Sequence, residues 1–209
     1  MSLIITSSDT LETIKRNSAC PPFLFQILDS TTTLQERVEN SLLTSLRAKT
    51  SFAEWIAALL ALNPKATLNN GKSLSLAEVL ADDSVSIKDL VKLDISLEKG
   101  DLASFEKVAN TPGDHSIVSV YVYLKFSAGK ISQARIVATG VSKSAYDQAV
   151  CSKFLIGKAL DKTIVQEFRE MMRAEFTPAE TYLASSTYRK EMVAVLVEKI
   201  LLNKINGEI

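Results

Sequence analysis

Two long β-type segments separated by a short turn constrain the fold of this chain more than any other feature. Residues 116–126 and 131–139 are rich in β-branched and aromatic side chains, and Ser127-Ala128-Gly129-Lys130 lies between them. Long strands around a short glycine-containing turn predict an antiparallel hairpin. Helical periodicity then follows at Ser144–Cys151, Lys162–Phe176 and Ser186–Asn203. Strands followed by helices within one segment predict the α+β fold class.

The first half of the chain carries several helix-start signals. Asp9 with Glu12 predicts a helix over residues 10–17, and Ser51-x-x-Glu54 and Ser75-x-x-Glu78 are capping-box patterns. Apolar residues recur with helical spacing from Leu34 to Leu46, which predicts a helix there. The same half contains predicted strands at Lys65–Leu68 and Val91–Leu97.

The polar segment Glu98-Lys99-Gly100-Asp101 is the best candidate for a domain boundary. It separates the mixed strand-and-helix pattern of the first half from the hairpin and helices of the second. We therefore expect one domain over residues 1–99 and another over residues 100–209.

Composition excludes several function classes. Lys and Arg number 24 and so do Asp and Glu, so the formal net charge is zero and no surplus of cations is present to neutralise nucleic-acid phosphates. No apolar run approaches the roughly 18 residues of a membrane helix, and the first residues lack the pattern of a secretory signal. Cys20 and Cys151 are far apart, which favours a reducing compartment. We expect a cytoplasmic protein that contacts neither nucleic acid nor membrane.

Scarce histidine and dispersed glycine restrict the chemistry further. His115 is the one histidine, in a segment of turn-forming residues, so neither a zinc site nor a Ser-His-Asp triad is indicated and we expect no metal site and no catalytic residues. The seven glycines are never clustered. Phosphate-binding loops need clustered glycines so that backbone N–H groups can approach the anion. Neither a Walker loop nor a dinucleotide fingerprint is present.

Several segments together carry a resemblance to a known family. They are Glu54–Leu62, Lys72–Val79, Phe105-Glu106-Lys107, Gly129–Val141 and Leu183–Met192, the last with its Ser185-Ser186-Thr187-Tyr188-Arg189 element. In order and spacing they resemble the flavin-binding (medium) subunit of molybdenum hydroxylases, the family of xanthine and carbon monoxide dehydrogenases. The agreement extends from about Ile4 to Ile205. The resemblance implies a second FAD subdomain, with a mixed sheet and helices, followed by a C-terminal domain with a three-stranded antiparallel sheet on a helix bundle.

The resemblance also implies cofactor-binding positions. The family's second flavin loop, Thr-Ile-Gly-Gly-Asn, falls on Ser41-Leu42-Leu43-Thr44-Ser45, and its cofactor-contacting aspartate falls on Glu54. Lys107 matches a lysine that lies near the flavin. The family-matched FAD positions are therefore Ser41, Ser45, Glu54 and Lys107. Glu54 has an alternative interpretation as the capping-box partner of Ser51, and Lys107 as a solvated strand lysine.

Two departures from the family weaken the flavin site. From the resemblance we expect the chain to lack the family's first FAD subdomain, with its Ala-Gly-Gly loop. In the second loop, Leu43 and Thr44 replace the glycines. Side chains at those positions obstruct close approach of a diphosphate to the backbone.

Three functions stay open at this point. The first is an accessory or structural component beside the molybdopterin and iron–sulfur subunits of a molybdenum hydroxylase, with FAD binding lost or weakened. The second is an active FAD-dependent electron-transfer subunit, completed by a partner chain that supplies the missing subdomain. The third is a self-associating protein that forms a homodimer through the exposed side of the predicted Leu34–Leu46 helix.

Overall fold

The computed structural model describes residues 2–82, 84–111, 114–141, 146–147, 149–175 and 184–208. The chain divides into two compact units, Met1–Lys99 and Gly100–Ile209. Each unit combines an antiparallel sheet with helices, which confirms the predicted α+β class.

The sheet of the first unit has the strand order β1-β4-β2-β3. Its strands are β1 (Ser2–Thr6), β2 (Lys65–Leu68), β3 (Ser73–Ser75) and β4 (Leu90–Ser96). Every described pairing is antiparallel, in place of the mixed sheet that the resemblance implied. Side chains alternate along β1, where Leu3 and Ile5 are buried and Ile4 is exposed, so one face of this sheet supplies the core.

Short helices complete the first unit. They are α1 (Leu11–Arg16), α2 (Pro22–Thr31), α3 (Leu34–Glu39), α4 (Leu42–Arg47), α5 (Ala53–Leu62) and α6 (Leu76–Ala81). Pro22 occupies the first turn of α2, where its missing N–H costs little. Ser75 and Glu78 form the predicted capping box at the start of α6. The α1 cap is Thr10 rather than Asp9, whose carboxylate accepts from the Thr6 amide instead.

The prediction of a helix from Leu34 to Leu46 is wrong at its centre. Asn40 and Ser41 are extended and separate α3 from α4. Asn40 accepts from the Leu11 amide, and Ser41 forms an isolated bridge with Thr10. These bonds to a distant segment satisfy the backbone better than continued helix would, so the local apolar spacing is overridden.

The second unit is built on the predicted hairpin. Its sheet has the order β5-β6-β7-β8, with β5 (Leu102–Val108), β6 (Val118–Ser127), β7 (Lys130–Thr139) and the short β8 (Tyr146–Asp147), which adds a fourth strand to the three expected. Ala128 and Gly129 form the two-residue turn between β6 and β7, with φ of 51° and 76°. Positive φ at both central residues matches the right-handed twist of the strands.

Helices cover one face of this second sheet. They are α7 (Ala149–Leu155), α8 (Lys162–Glu175) and α9 (Ser186–Asn206). Val165, Phe168 and Met172 of α8 are fully buried, as the apolar stripe predicted, and belong to the same apolar cluster as the sheet residues Val118, Val120 and Val122. The predicted helix from Ser144 is wrong at Tyr146 and Asp147, which pair with β7, and residues 144, 145 and 148 lie outside the described residues.

The start of α9 is fixed to the end of β7. Ser185 caps the helix by accepting from the Tyr188 amide at 3.2 Å. The buried Arg189 guanidinium donates to the carbonyl oxygen of Gly140. Gly140 has φ of +77°, and a Cβ there would lie 2.0 Å from the Ile117 carbonyl oxygen. Arg189 therefore has a structural role in the Ser-x-x-Tyr-Arg element.

Candidate cofactor site

Ser41 caps the short helix α4 at the position of the family's second flavin loop. Its hydroxyl accepts from the Thr44 amide at 3.3 Å, and the Thr44 hydroxyl accepts from the Ser41 amide at 2.8 Å. The Leu42 amide donates to the Asp9 carbonyl at 2.8 Å and the Leu43 amide to the Ser7 carbonyl at 3.1 Å. The Ser45 amide donates to the Ser41 carbonyl at 3.0 Å. The N–H groups of the first helical turn, which helices usually leave unsatisfied, therefore all have partners in the chain.

Ser45 faces inward rather than toward a ligand. Its side chain is fully buried, and its hydroxyl donates to the Leu42 carbonyl oxygen at 2.8 Å. This bond within the first turn of α4 satisfies the hydroxyl donor in the interior.

Glu54 lies in the first turn of α5 and is only 5% exposed. The prediction that Ser51 caps this helix is wrong, because the N-cap residue is Phe52, which makes no side-chain capping bond. Phe52 is itself buried, and its packing starts the helix one residue later than the capping-box pattern indicates. A carboxylate in a first turn interacts favourably with the helix dipole, and Glu54 has interactions within the protein.

Lys107 lies in the second unit, on the face of the sheet opposite the helices. It is opposite Ser119 in the β5–β6 register, and Phe105, two residues earlier on the same face, is opposite Tyr121. The rings of Phe105 and Tyr121 stack with centroids 5.9 Å apart and an interplanar angle of 11°. Lys107 is half-buried, so its position is more enclosed than that of a solvated strand lysine.

Buried hydroxyl groups extend this face around Lys107. Ser119 donates to the Tyr121 hydroxyl at 3.0 Å, and the Ser119 and Thr139 hydroxyl oxygens lie 2.5 Å apart. Both Ser119 and Thr139 are buried. Phe105, Lys107, Ser119, Tyr121 and Thr139 form what we call the aromatic–hydroxyl face.

Motif reasoning missed most of the aromatic–hydroxyl face, since only Lys107 was singled out. The available signal is the alternation in β6, where Ser119 and Tyr121 occur between Val118, Val120 and Val122. In a strand with one face against helices, such alternation indicates a second, more polar face with a role of its own.

The four sequence-predicted positions fall in different parts of the fold. Ser41, Ser45 and Glu54 belong to the first unit, at the starts of α4 and α5, and Lys107 belongs to the second. Neither serine offers a group that is both exposed and unengaged at the start of α4.

The described part of the chain gives little support to a reactive cysteine, a metal site or a membrane-spanning helix. Burial raises the pKa of the Cys20 thiol to about 11, which keeps it protonated and poorly nucleophilic at neutral pH. Among the described residues, no three His, Cys, Asp or Glu side chains are grouped as metal ligands would be. In the same residues, no helix has the length and apolar character needed to cross a membrane.

Comparison with known proteins supplies the family. Residues 103–204 match the model of the CO dehydrogenase flavoprotein C-terminal domain. The second unit is therefore similar to this domain. The predicted relationship of the chain to the flavin-binding medium subunits of molybdenum hydroxylases is thereby confirmed.

Two curated relatives show the same similarity. The chain is 24% identical to the glyceraldehyde dehydrogenase medium chain of Sulfolobus acidocaldarius over 110 residues, which are 53% of this chain and 39% of that protein. It is 28% identical to the carbon monoxide dehydrogenase medium chain of Afipia carboxidovorans over 96 residues, 46% of this chain and 33% of that one. The matched stretch thus spans well under half of each relative.

The fold likeness extends over both units. Quinoline 2-oxidoreductase from Pseudomonas putida 86 superposes with a TM-score of 0.80 at 20% identity, covering 99% of this chain and 75% of that chain. Lys107 lies within the residues that match the flavoprotein C-terminal domain, whereas Ser41, Ser45 and Glu54 lie outside them.

Proposed function

We propose that this chain is an accessory or structural component of a molybdenum hydroxylase of the xanthine or CO dehydrogenase type, in which FAD binding is lost or much weakened. The observation that carries the proposal is the start of α4. There the Leu42 and Leu43 amides donate to the Asp9 and Ser7 carbonyls, and the Thr44 amide donates to Ser41.

A diphosphate bound at a helix start is held by backbone N–H groups that point at it. At α4 such a ligand would have to break the bonds from Leu42 and Leu43 to Asp9 and Ser7, which also hold the segment between β1 and α1 in place. An anion accepts hydrogen bonds more strongly than a neutral carbonyl, so it would offset part of the free energy lost with those bonds. The side chains of Leu43 and Thr44, however, occupy positions where the family has glycine.

The buried hydroxyl of Ser45 supports the same conclusion. The family's asparagine at this position offers a side-chain amide, whereas the Ser45 hydroxyl is used within the helix, on the Leu42 carbonyl. The residues at the start of α4 therefore do not fit the diphosphate of FAD. The proposed function accordingly involves no electron transfer through a flavin bound by this chain alone.

The proposed partners follow from the relatives, which are both medium chains. We infer that the chain assembles with molybdopterin and iron–sulfur subunits in the cytoplasm and contributes a scaffold rather than a catalytic residue. The fold is compatible with this role because both units superpose on quinoline 2-oxidoreductase over 99% of this chain.

Visible absorbance spectroscopy tests the loss of FAD. The purified chain is mixed with FAD, the excess is removed, and we expect a colourless protein. The variant carrying both Leu43→Gly and Thr44→Gly separates the two causes. If the occupied N–H groups are the barrier, it stays colourless, and if side-chain obstruction is the barrier, it retains flavin. A flavin spectrum in the unmodified chain contradicts the proposal.

The aromatic–hydroxyl face favours a second candidate function, an electron-transfer subunit whose FAD is held jointly with a partner chain. The half-buried Phe105, stacked on the buried Tyr121, lies on the same sheet face as Lys107, so an aromatic ring and a cation are available there for a flat ring system. In a reconstituted complex, Lys107→Ala and Glu54→Ala would weaken flavin affinity, and Lys130→Ala at the exposed hairpin turn would not. Unchanged affinity in the first two variants removes this candidate.

A further inference from the structure

A short exposed loop joins β2 to β3 and contains the dipeptide Asn70-Gly71. The Leu68 amide donates to the Lys72 carbonyl and the Gly71 amide donates to the Leu68 carbonyl, both at 2.9 Å, so these bonds close the loop over residues 69–71. Gly71 has φ of +78°, and a Cβ there would meet nothing within 4 Å. Glycine is therefore favoured at this position by the turn conformation, and not by a lack of space.

The side chain of Asn70 is fixed beside the backbone of Gly71. Its Oδ1 accepts from the Lys72 amide at 2.9 Å, so this hydrogen bond spans Gly71. Asn70 is exposed, and its Nδ2 group makes no hydrogen bond to another described residue. The side-chain amide of Asn70 is thus held by its oxygen, and its amino group is surrounded by solvent.

We propose that Asn70 is a site of spontaneous deamidation. The Gly71 nitrogen attacks Cγ of Asn70, the new N–Cγ bond closes a cyclic succinimide, and the Cγ–Nδ2 bond breaks. The side-chain amino group leaves as ammonia, with the proton that the Gly71 nitrogen has lost. Water then adds to one of the two ring carbonyls. Opening at one C–N bond gives aspartate, and opening at the other gives isoaspartate, in which the chain continues through the side-chain carbon.

Two features of the loop favour this attack. Gly71 has no side chain to obstruct its nitrogen, whereas attack on Asn69 would come from the nitrogen of Asn70, which carries one. Negative charge develops on Oδ1 during the attack, and the Lys72 amide already donates to that oxygen, as a donor of an oxyanion hole does. The bond from the Gly71 amide to the Leu68 carbonyl opposes the attack, but it belongs to an exposed turn that opens locally without unfolding the unit.

The two products differ in their effect on the hairpin. Aspartate keeps the backbone unchanged, and its carboxylate still accepts from the Lys72 amide. Isoaspartate lengthens the backbone inside a loop that the Leu68–Lys72 bond closes, so the pairing of Lys65 with Ser75 should weaken. Because Ser75 also caps α6, the isoaspartate form should loosen the start of that helix. This modification depends on neither FAD nor a hydroxylase partner.

Peptide mass spectrometry of the full chain, incubated in mildly alkaline buffer at physiological temperature, tests the proposal. Trypsin releases the peptide Ala66–Lys72, which contains both asparagines of the loop. We expect Asn70 to exchange its amino group for a hydroxyl group and to yield both aspartate and isoaspartate, which fragmentation distinguishes. Asn69 is the control within the chain, because it is exposed in the same loop but is not followed by glycine. It should react about tenfold more slowly or less.

Two variants at Lys72 test the backbone donor. Lys72→Pro removes the amide that donates to Oδ1, and Lys72→Ala, the matched control, keeps it. Asn70 should react about fivefold more slowly in the proline variant, the effect of losing one ordinary hydrogen bond. Equal rates in the two variants overturn the activating role of the Lys72 amide. Circular dichroism establishes that both are folded, and if Lys72→Pro is not, the comparison of Asn70 with Asn69 in the unmodified chain decides alone.

Three results with the unmodified chain overturn the proposal. The first is an Asn70 that stays intact throughout the incubation. The second is an Asn70 that reacts no faster than Asn69, which would mean that the following glycine has no effect. The third is aspartate without isoaspartate, because direct hydrolysis by water gives aspartate alone and only the succinimide gives both.

Discussion

The two units reach stability by different means. In the first unit, the helices α1, α3, α4 and α6 have six residues each and depend on capping and on bonds to distant backbone. In the second unit, two ten-residue strands pack against helices of 14 and 21 residues around one apolar cluster. Helices of six residues are unstable alone, so polar contacts at their ends decide whether they form.

This difference bears on where function can change. In a unit held by hydrogen bonds at helix ends, the groups that a phosphate would use are also the groups that maintain the fold. The start of α4 illustrates this, because its amides hold the segment of Ser7 and Asp9. In the second unit the helices occupy one sheet face, and the aromatic–hydroxyl face is not needed for the packing between sheet and helices.

The largest effect is expected where the second unit depends on one backbone conformation. Gly140→Ala would place a Cβ 2.0 Å from the Ile117 carbonyl oxygen at a residue with φ of +77°. Because the obstacle is backbone, we expect a loss of at least ~3 kcal/mol in the free energy of unfolding. Urea denaturation followed by circular dichroism measures it.

Gly129→Ala is the matched control for Gly140. Gly129 has nearly the same φ, +76°, but a Cβ there meets nothing within 4 Å. Only the conformational cost of about 1 kcal/mol should appear. Equal losses in the two variants would show that the contact with Ile117 is unimportant and that positive φ alone determines the cost.

An intermediate effect is expected at Arg37, which joins three helices of the first unit. The buried guanidinium donates to the Glu12 carboxylate at 2.7 Å and to the carbonyl oxygens of Leu28 at 3.1 Å and Thr32 at 2.6 Å. Arg37→Met would leave these acceptors without their donor, at a cost on the order of 2 kcal/mol. Thermal unfolding monitored by Trp55 fluorescence reports it.

Arg47→Met provides the comparison for Arg37. Arg47 is exposed in the last turn of α4, so its loss should change the free energy of unfolding by no more than about 0.5 kcal/mol. A similar effect of both substitutions would contradict the view that buried polar contacts, rather than charge as such, hold the first unit together.

Local patterns predicted the elements whose partners are close in sequence. The Ser75–Glu78 capping box, the hairpin turn at Ala128 and Gly129 and the apolar stripe of α8 all depend on residues a few positions apart. Their sequence signals are therefore complete within a short window.

Features that depend on distant partners were not predictable in the same way. The break at Asn40 and Ser41 exists because Thr10 and Leu11 bond to that segment. Likewise, the stacking of Phe105 on Tyr121 follows from the β5–β6 register, which no local motif fixes. Lys107 was indicated as a cofactor position only by the resemblance to the family. The same resemblance could not indicate that the amides at the start of α4 donate to the Ser7 and Asp9 carbonyls.

The smallest expected effect is a loss of folding stability at acidic pH, mainly in the first unit. Hydrogen bonds from Arg37 and Arg16 lower the pKa of Glu12, the bond from Lys15 lowers that of Asp29, and bonds from the Ser75 backbone and side chain lower that of Glu78. A carboxyl whose pKa is lower in the folded state stabilises the fold above its unfolded pKa, near 4. This stabilisation is lost as the pH falls through the folded pKa.

Ser75→Ala makes the acid effect measurable at one site. The variant loses the hydroxyl that donates to the Glu78 carboxylate at 2.7 Å and that accepts from the Glu78 amide at 3.3 Å. At neutral pH it should be less stable than the unmodified chain, and the difference should narrow below about pH 4 as Glu78 becomes protonated. Because this carboxylate is exposed, solvent screens the interaction and the effect is smaller than at Gly140 or Arg37. Ser73→Ala, at the exposed first residue of β3, should show no such pH dependence. A difference for Ser75→Ala that is constant with pH would mean that the cap acts through the amide bond alone.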